Sequence, residues 1–181
     1  MIKQEKYWIK DLTDNVKFIN SCIDKKIPFC DEGSDELLLE LEKRIMTSCY
    51  IIRKLNESNK IPDPLYKTEV ELAFYPKKDS SFDPGDINVE NLHDMKNMEV
   101  KKRYFSYMAN QIIHSYFFEI YQYFDETISG FYFNSDRSRK AGIYYVRIED
   151  FFEALTDVSR VYAVGEAFII NSDRELVKVW S

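Results

Sequence analysis

The stretch Phe131-Tyr132-Phe133-Asn134-Ser135-Asp136-Arg137 returns later in the chain as Phe168-Ile169-Ile170-Asn171-Ser172-Asp173-Arg174. In each copy an apolar, β-prone run leads straight into Asn-Ser-Asp, residue types that turn a chain by bonding their own backbone and tolerating left-handed geometry. Each copy therefore reads as a hairpin corner. Extended over the tail, the pattern predicts a strand over 131–134, a turn, a strand over 143–148, a short helix over 149–158, a strand over 161–170, a second turn and a strand over 175–180. Glu149, Asp150, Glu153 and Asp157 form the wet side of that helix, with Phe152 and Leu155 facing inward.

Upstream of the first corner the apolar period lengthens. Leu12, Val16, Ile19 and Ile23 recur at helical spacing after Thr13-Asp14, and Pro28 stops that helix near Lys26. Ser34 or Asp35 caps a second helix with the stripe Leu38, Leu41, Ile45, Cys49, Ile52 and Leu55, so residues 13–58 read as a helical hairpin. Val70, Leu72 and Phe74 alternate with Glu69, Glu71 and Ala73, which predicts a strand over 66–75 with one wet face. From Val89 to Ile128 no proline or glycine intervenes, and the spacing predicts one long helix over 89–128 with Gly130 closing it. The expectation is a single α+β domain over 1–181, its helical N-terminal two thirds packed on one face of a mostly antiparallel sheet of about five strands.

At 181 residues, with 45% hydrophobic and 15% aromatic side chains, the chain can bury a substantial core, and only five Gly and five Pro favour long regular elements. Cys22, Cys30 and Cys49 lack zinc-knuckle spacing and read as reduced thiols, Cys22 and Cys49 as packing groups. The first residues carry no signal-peptide pattern. The net charge of −6 is concentrated between residues 61 and 129, where 12 acidic side chains face 7 basic ones. That balance argues against nucleic-acid or membrane partners and favours a basic protein partner. Oligomeric state stays open.

No cofactor or metal is expected. The glycines stand singly, no serine sits in a nucleophile elbow, and His93 and His114 are too far apart for a helical metal pair. His114, among Ile112, Ile113 and Tyr116, reads as a partly buried structural histidine. Asp79, Asp83 and Asp86 cluster in an acidic loop without the alternate-residue spacing of a calcium loop. Asp86, Glu99 and Lys101 make a metal-nuclease set only on a strand, and the expected helix argues against it. Five of eight arginines lie beyond residue 129, and Arg137, Arg139 and Lys140 share one turn. Two readings stay open: Asp136 and Asp173 brace their own corners, or Arg137, Arg139 and Arg174 recognise an anion. The partner-binding candidates are therefore Asp136, Arg137, Arg139, Asp173 and Arg174, with Asp79, Asp83 and Asp86 of the acidic loop. The many tyrosines fit either strand packing or a protein-binding surface.

The run from Phe131 to Trp180, carrying FYFNSDRSR and FIINSDREL, resembles the sheet region of small bacterial immunity proteins that neutralise the toxins of neighbouring cells. The resemblance implies a cytoplasmic inhibitor that binds one toxin domain and performs no chemistry. An anion-binding protein or enzyme using the arginines, and a homo-oligomer joined through an aromatic helix over 104–124, are the other two readings.

Overall fold

The structure is a computed structural model that describes residues 5–29, 31–61, 66–78, 88–163, 167–170 and 176–180, with side chains within those ranges from Lys6 to Ser159 except Val158. Two helices, α1 (Glu5–Ile23) and α2 (Glu32–Glu57), open the chain. Leu12, Ile19 and Cys22 of α1 are buried against the stripe Leu41, Ile45, Cys49, Ile52 and Leu55 of α2. The helices run antiparallel: Trp8 meets Tyr50 at 6.0 Å between ring centroids, and further along α1 Asn15 meets Arg44. Asp31, with extended backbone, precedes α2 and its carbonyl accepts from the Ser34 and Asp35 amides at 2.9 and 3.1 Å. The cap thus falls earlier than Ser34 or Asp35, because Glu32 and Asp35 in the first turn favour the positive end of the helix dipole.

The remaining elements are β1 (Glu69–Pro76), a one-turn helix α3 (Val89–Leu92), β2 (Glu99–Tyr104), α4 (Phe105–Ile113), β3 (Ser115–Gln122), β4 (Ile128–Ser135), β5 (Gly142–Arg147), α5 (Ile148–Ala163), β6 (Ala167–Ile170) and β7 (Leu176–Trp180). The fold is α+β. Five strands form an antiparallel sheet in the order β2-β1-β5-β4-β3, and β6 with β7 forms a separate two-stranded ribbon. Val70, Leu72, Phe74, Phe131, Phe133, Tyr144 and Val146 turn one sheet face into the main core, together with buried side chains from α1, α2, α4 and α5. The other face carries a smaller cluster of Tyr132, Ile143 and Val89 flanked by Tyr75, Phe117 and Tyr145. Gly142 has to be glycine, since a Cβ there would run into the Tyr75 carbonyl of the neighbouring strand.

The long helix expected over 89–128 does not exist. Only Phe105–Ile113 is an extended helical stretch, with Phe105, Met108, Ala109 and Ile112 buried at helical spacing. The flanks are edge strands. β2 is charged, as exposed edges often are, and β3 is rich in aromatic and β-branched residues that suit a pleated surface. With no Pro or Gly at the boundaries, the change of period carried no punctuation. An oligomer interface on an aromatic helix over 104–124 falls with this, because the helix is short and its apolar face is already buried. The tail differs as well: residues 161–163 continue α5, β6 and β7 pair apart from the five-stranded sheet, and the second Asn-Ser-Asp run lies outside the described residues.

Candidate functional site

Two sites flank the interior strand β4, one at each end, roughly 25 Å apart for a strand of eight residues. The first is the β4–β5 corner. Ser138 pins it: its hydroxyl donates to Gln111 Oε1 at 2.8 Å and accepts from the Ser135 amide at 2.9 Å. Its carbonyl accepts from the Ala141 and Gly142 amides at 2.9 and 3.1 Å. This turn separates the candidate residues. Asp136 and Arg137 line a polar cleft of about 510 Å³ shared with Arg53, Asn110, Gln111 and His114. Arg139 and Lys140 line a narrower, more apolar pocket of about 220 Å³ on the other side.

In the polar cleft Arg53 is already engaged, donating from Nε to Glu57 at 2.8 Å and from Nη1 to His114 Nε2 at 3.1 Å. Because guanidinium can only donate, His114 Nε2 is the unprotonated nitrogen. The expectation for His114 is reversed: it is exposed, while His93 is only 5% exposed. His93 Nδ1 lies 3.1 Å from the Val89 carbonyl, and since a carbonyl only accepts, Nδ1 carries the proton. Burial, together with Lys77 and Lys78, holds the imidazole below its ordinary value.

The pocket beside Arg139 has an apolar floor of Val89, Leu92 and Phe117 and a rim of Lys77, Arg139 and Lys140. The Arg139 guanidinium lies 4.2 Å over the Tyr116 ring. Its Nε is 2.9 Å from Asp136 Oδ1 but makes no hydrogen bond, so the contact is an ion pair only. The pair joins two residues of the same corner, with the Asp136 side chain 78% exposed. Asn134, at 4% exposure, also lines this pocket; its Nδ2 donates to the Gly142 carbonyl at 3.3 Å, and its buried Oδ1 has no partner. A buried acceptor left so costs about 1–3 kcal/mol.

The second site is the β3–β4 hairpin tip, where the sequence showed only helix. Tyr123 donates its amide to the Thr127 carbonyl at 2.8 Å, and Glu126, at φ 70°, donates back to Tyr123 at 3.0 Å. Asp125 accepts from the Thr127 hydroxyl and amide at 2.6 and 3.1 Å, which holds its carboxyl below the usual range and keeps it charged. On this braced turn Phe124 is 103% exposed, with Tyr121 at 43% and Tyr123 at 49% beside it. Behind them a chain of rings follows the outer face: Tyr121, Tyr132 and Tyr145 stand 5.7 and 4.9 Å apart by centroid, and Tyr75 is 6.1 Å from Tyr132. Burial pushes the Tyr145 phenol up to about 12, so it stays neutral. The signal for this site was Asp125-Glu126-Thr127 before a β-prone run, a turn composition hidden inside an unbroken apolar period.

Asp79, Asp83, Asp86, Asp173, Arg174 and Cys30 lie outside the described residues. The described strands β6 and β7 pair with each other, apart from the sheet that holds β4 and β5. Glu99 and Lys101 sit on β2 rather than on a helix, side by side with their charged groups 3.3 Å apart and the ammonium 3.3 Å from the Phe74 ring centroid. The strand objection to a metal set is thereby removed, but this lysine is held by a ring and a carboxylate. Among the described residues no group of three or more His, Cys, Asp or Glu is placed to hold a metal ion, and no helix is long and apolar enough to cross a membrane. No protein-family model, curated protein or solved structure matches the chain.

Proposed function

We propose that this protein is a non-catalytic binding protein of the immunity kind, which seats the β3–β4 tip in an apolar socket on a basic toxin domain. The observation that carries this reading is Phe124, wholly exposed on a turn closed by its own hydrogen bonds. An aromatic side chain presented on a braced turn has only two torsions of its own to order on docking, a low entropic cost that suits an interface anchor. Tyr121 and Tyr123 widen the apolar contact, and charged Asp125 and Glu126 beside Phe124 favour a socket with a basic rim. The same carboxylates oppose docking on an anionic lipid surface.

The test is titration against the product of the adjacent gene, with protection from its toxicity as the cellular readout. The expected result is a complex that Phe124→Asp weakens by about 30-fold or more, corresponding to about 2 kcal/mol. Its thermal midpoint should stay near that of the parent, since Phe124 touches no core. Absence of both complex and protection, or undiminished binding by Phe124→Asp, sinks the reading.

A further inference from the structure

We infer that the pocket between α3, β3 and the β4–β5 corner binds a small, partly apolar acid. Two features of the pocket combine to define that ligand. Lys77, Arg139 and Lys140 place three cationic side chains on one rim; Asp136 pairs with Arg139 from outside the pocket at 2.9 Å, and no carboxylate is among the described lining residues. A guanidinium stacked over Tyr116 is poised as a flat donor surface, the geometry that suits carboxylate or phosphate oxygens. Val89, Leu92 and Phe117 supply an apolar floor for the body of the ligand.

The walls are built by backbone, not by loose side chains. The Lys77 amide donates to the Ala141 carbonyl at 2.9 Å, the Lys78 amide to Leu92 at 3.0 Å and the Asp94 amide to Pro76 at 2.8 Å, so α3 is stapled to the end of β1 and β1 to the corner. A preformed cleft of this kind binds without first having to order its walls. At about 220 Å³ the space equals that of roughly seven waters, which limits the ligand to one small ring or a short chain with its acid head. This site is at the opposite end of β4 from Phe124 and does not depend on the proposed protein partner.

The experiment is calorimetric titration of the full chain with 4-hydroxybenzoate and with its neutral counterpart 4-hydroxybenzamide, which differ in charge but share the ring and the hydroxyl. The acid is expected to bind saturably at millimolar concentration or below and at least tenfold more tightly than the amide. Lys140→Glu and Arg139→Gln, both surface substitutions at the rim, are each expected to weaken the acid at least tenfold, while Phe124→Asp leaves it unchanged. Absence of saturable binding of the acid, equal binding of acid and amide, or full binding by both rim variants overturns the proposal. Loss of anion binding leaves the result with the toxin untouched, so the two readings fail separately.

Discussion

His93 shows how one residue links the fold to pH. Its imidazole is packed under α3 beside Lys77 and Lys78, and burial with those two charges lowers its proton affinity, outweighing the hydrogen bond to the Val89 carbonyl, which favours the protonated ring. Its proton affinity in the folded chain is lower than the ordinary 6.5, so the unfolded chain binds more protons between the two values and stability rises with pH there. The contribution is complete above about 6.5 and is lost as the pH falls toward the lower folded value. We expect His93→Gln, which keeps a donor for Val89, to lose less stability than the parent in urea titrations below that pH; identical pH profiles would contradict this. The sequence marked His93 only as a histidine too distant from His114. Which of the two is buried depends on α3 folding over the end of β1, and no local pattern states that.

At the scale of elements, α1 and α2 are joined by one polar clamp. Arg44 donates to Glu40 at 2.7 Å and to Asn15 Oδ1 at 2.9 Å, and its guanidinium lies 5.3 Å from the Phe18 ring centroid. Asn15 is 3% exposed, so losing this donor strands a buried carbonyl. Arg44→Ala should therefore lower the unfolding free energy by about 1–3 kcal/mol, whereas Arg44→Lys, which keeps charge but not the fork, should recover only part of it. Chemical denaturation decides; a loss below half a kilocalorie would mean that water replaces the clamp. The helical hairpin was legible because Leu41, Ile45, Cys49 and Ile52 repeat at helical spacing over many turns. β3 was not, because Phe117, Ile120 and Phe124 also lie at helical spacing while Phe118 and Ile120 alternate as in a strand. Pairing with β4, Phe118 opposite Phe133 and Ile120 opposite Phe131, selects the second period.

Across the whole molecule, buried side chains from Leu12 to Leu155 form one contiguous core in which α1, α2, α4 and α5 share the face offered by β1, β4 and β5. Such a core is expected to melt as a unit: far-ultraviolet and near-ultraviolet circular dichroism should give coincident transitions, and separated midpoints would show that the helical hairpin unfolds by itself. The sequence alone determined the helical hairpin, the wet-and-dry alternation of β1, the first Asn-Ser-Asp corner and the α+β class, all of which depend on neighbours a few residues apart. Tertiary structure decided that Glu99–Tyr104 and Ser115–Gln122 are edge strands, that β6 and β7 pair apart from the five-stranded sheet, and that Asp136 and Arg137 face one cleft while Arg139 faces another. It also decided that Phe124 ends a hairpin instead of lining a helix. The physical reason is the same in each case. An apolar, aromatic-rich segment satisfies more than one period, and the choice is made by the strand that supplies its hydrogen-bond partners.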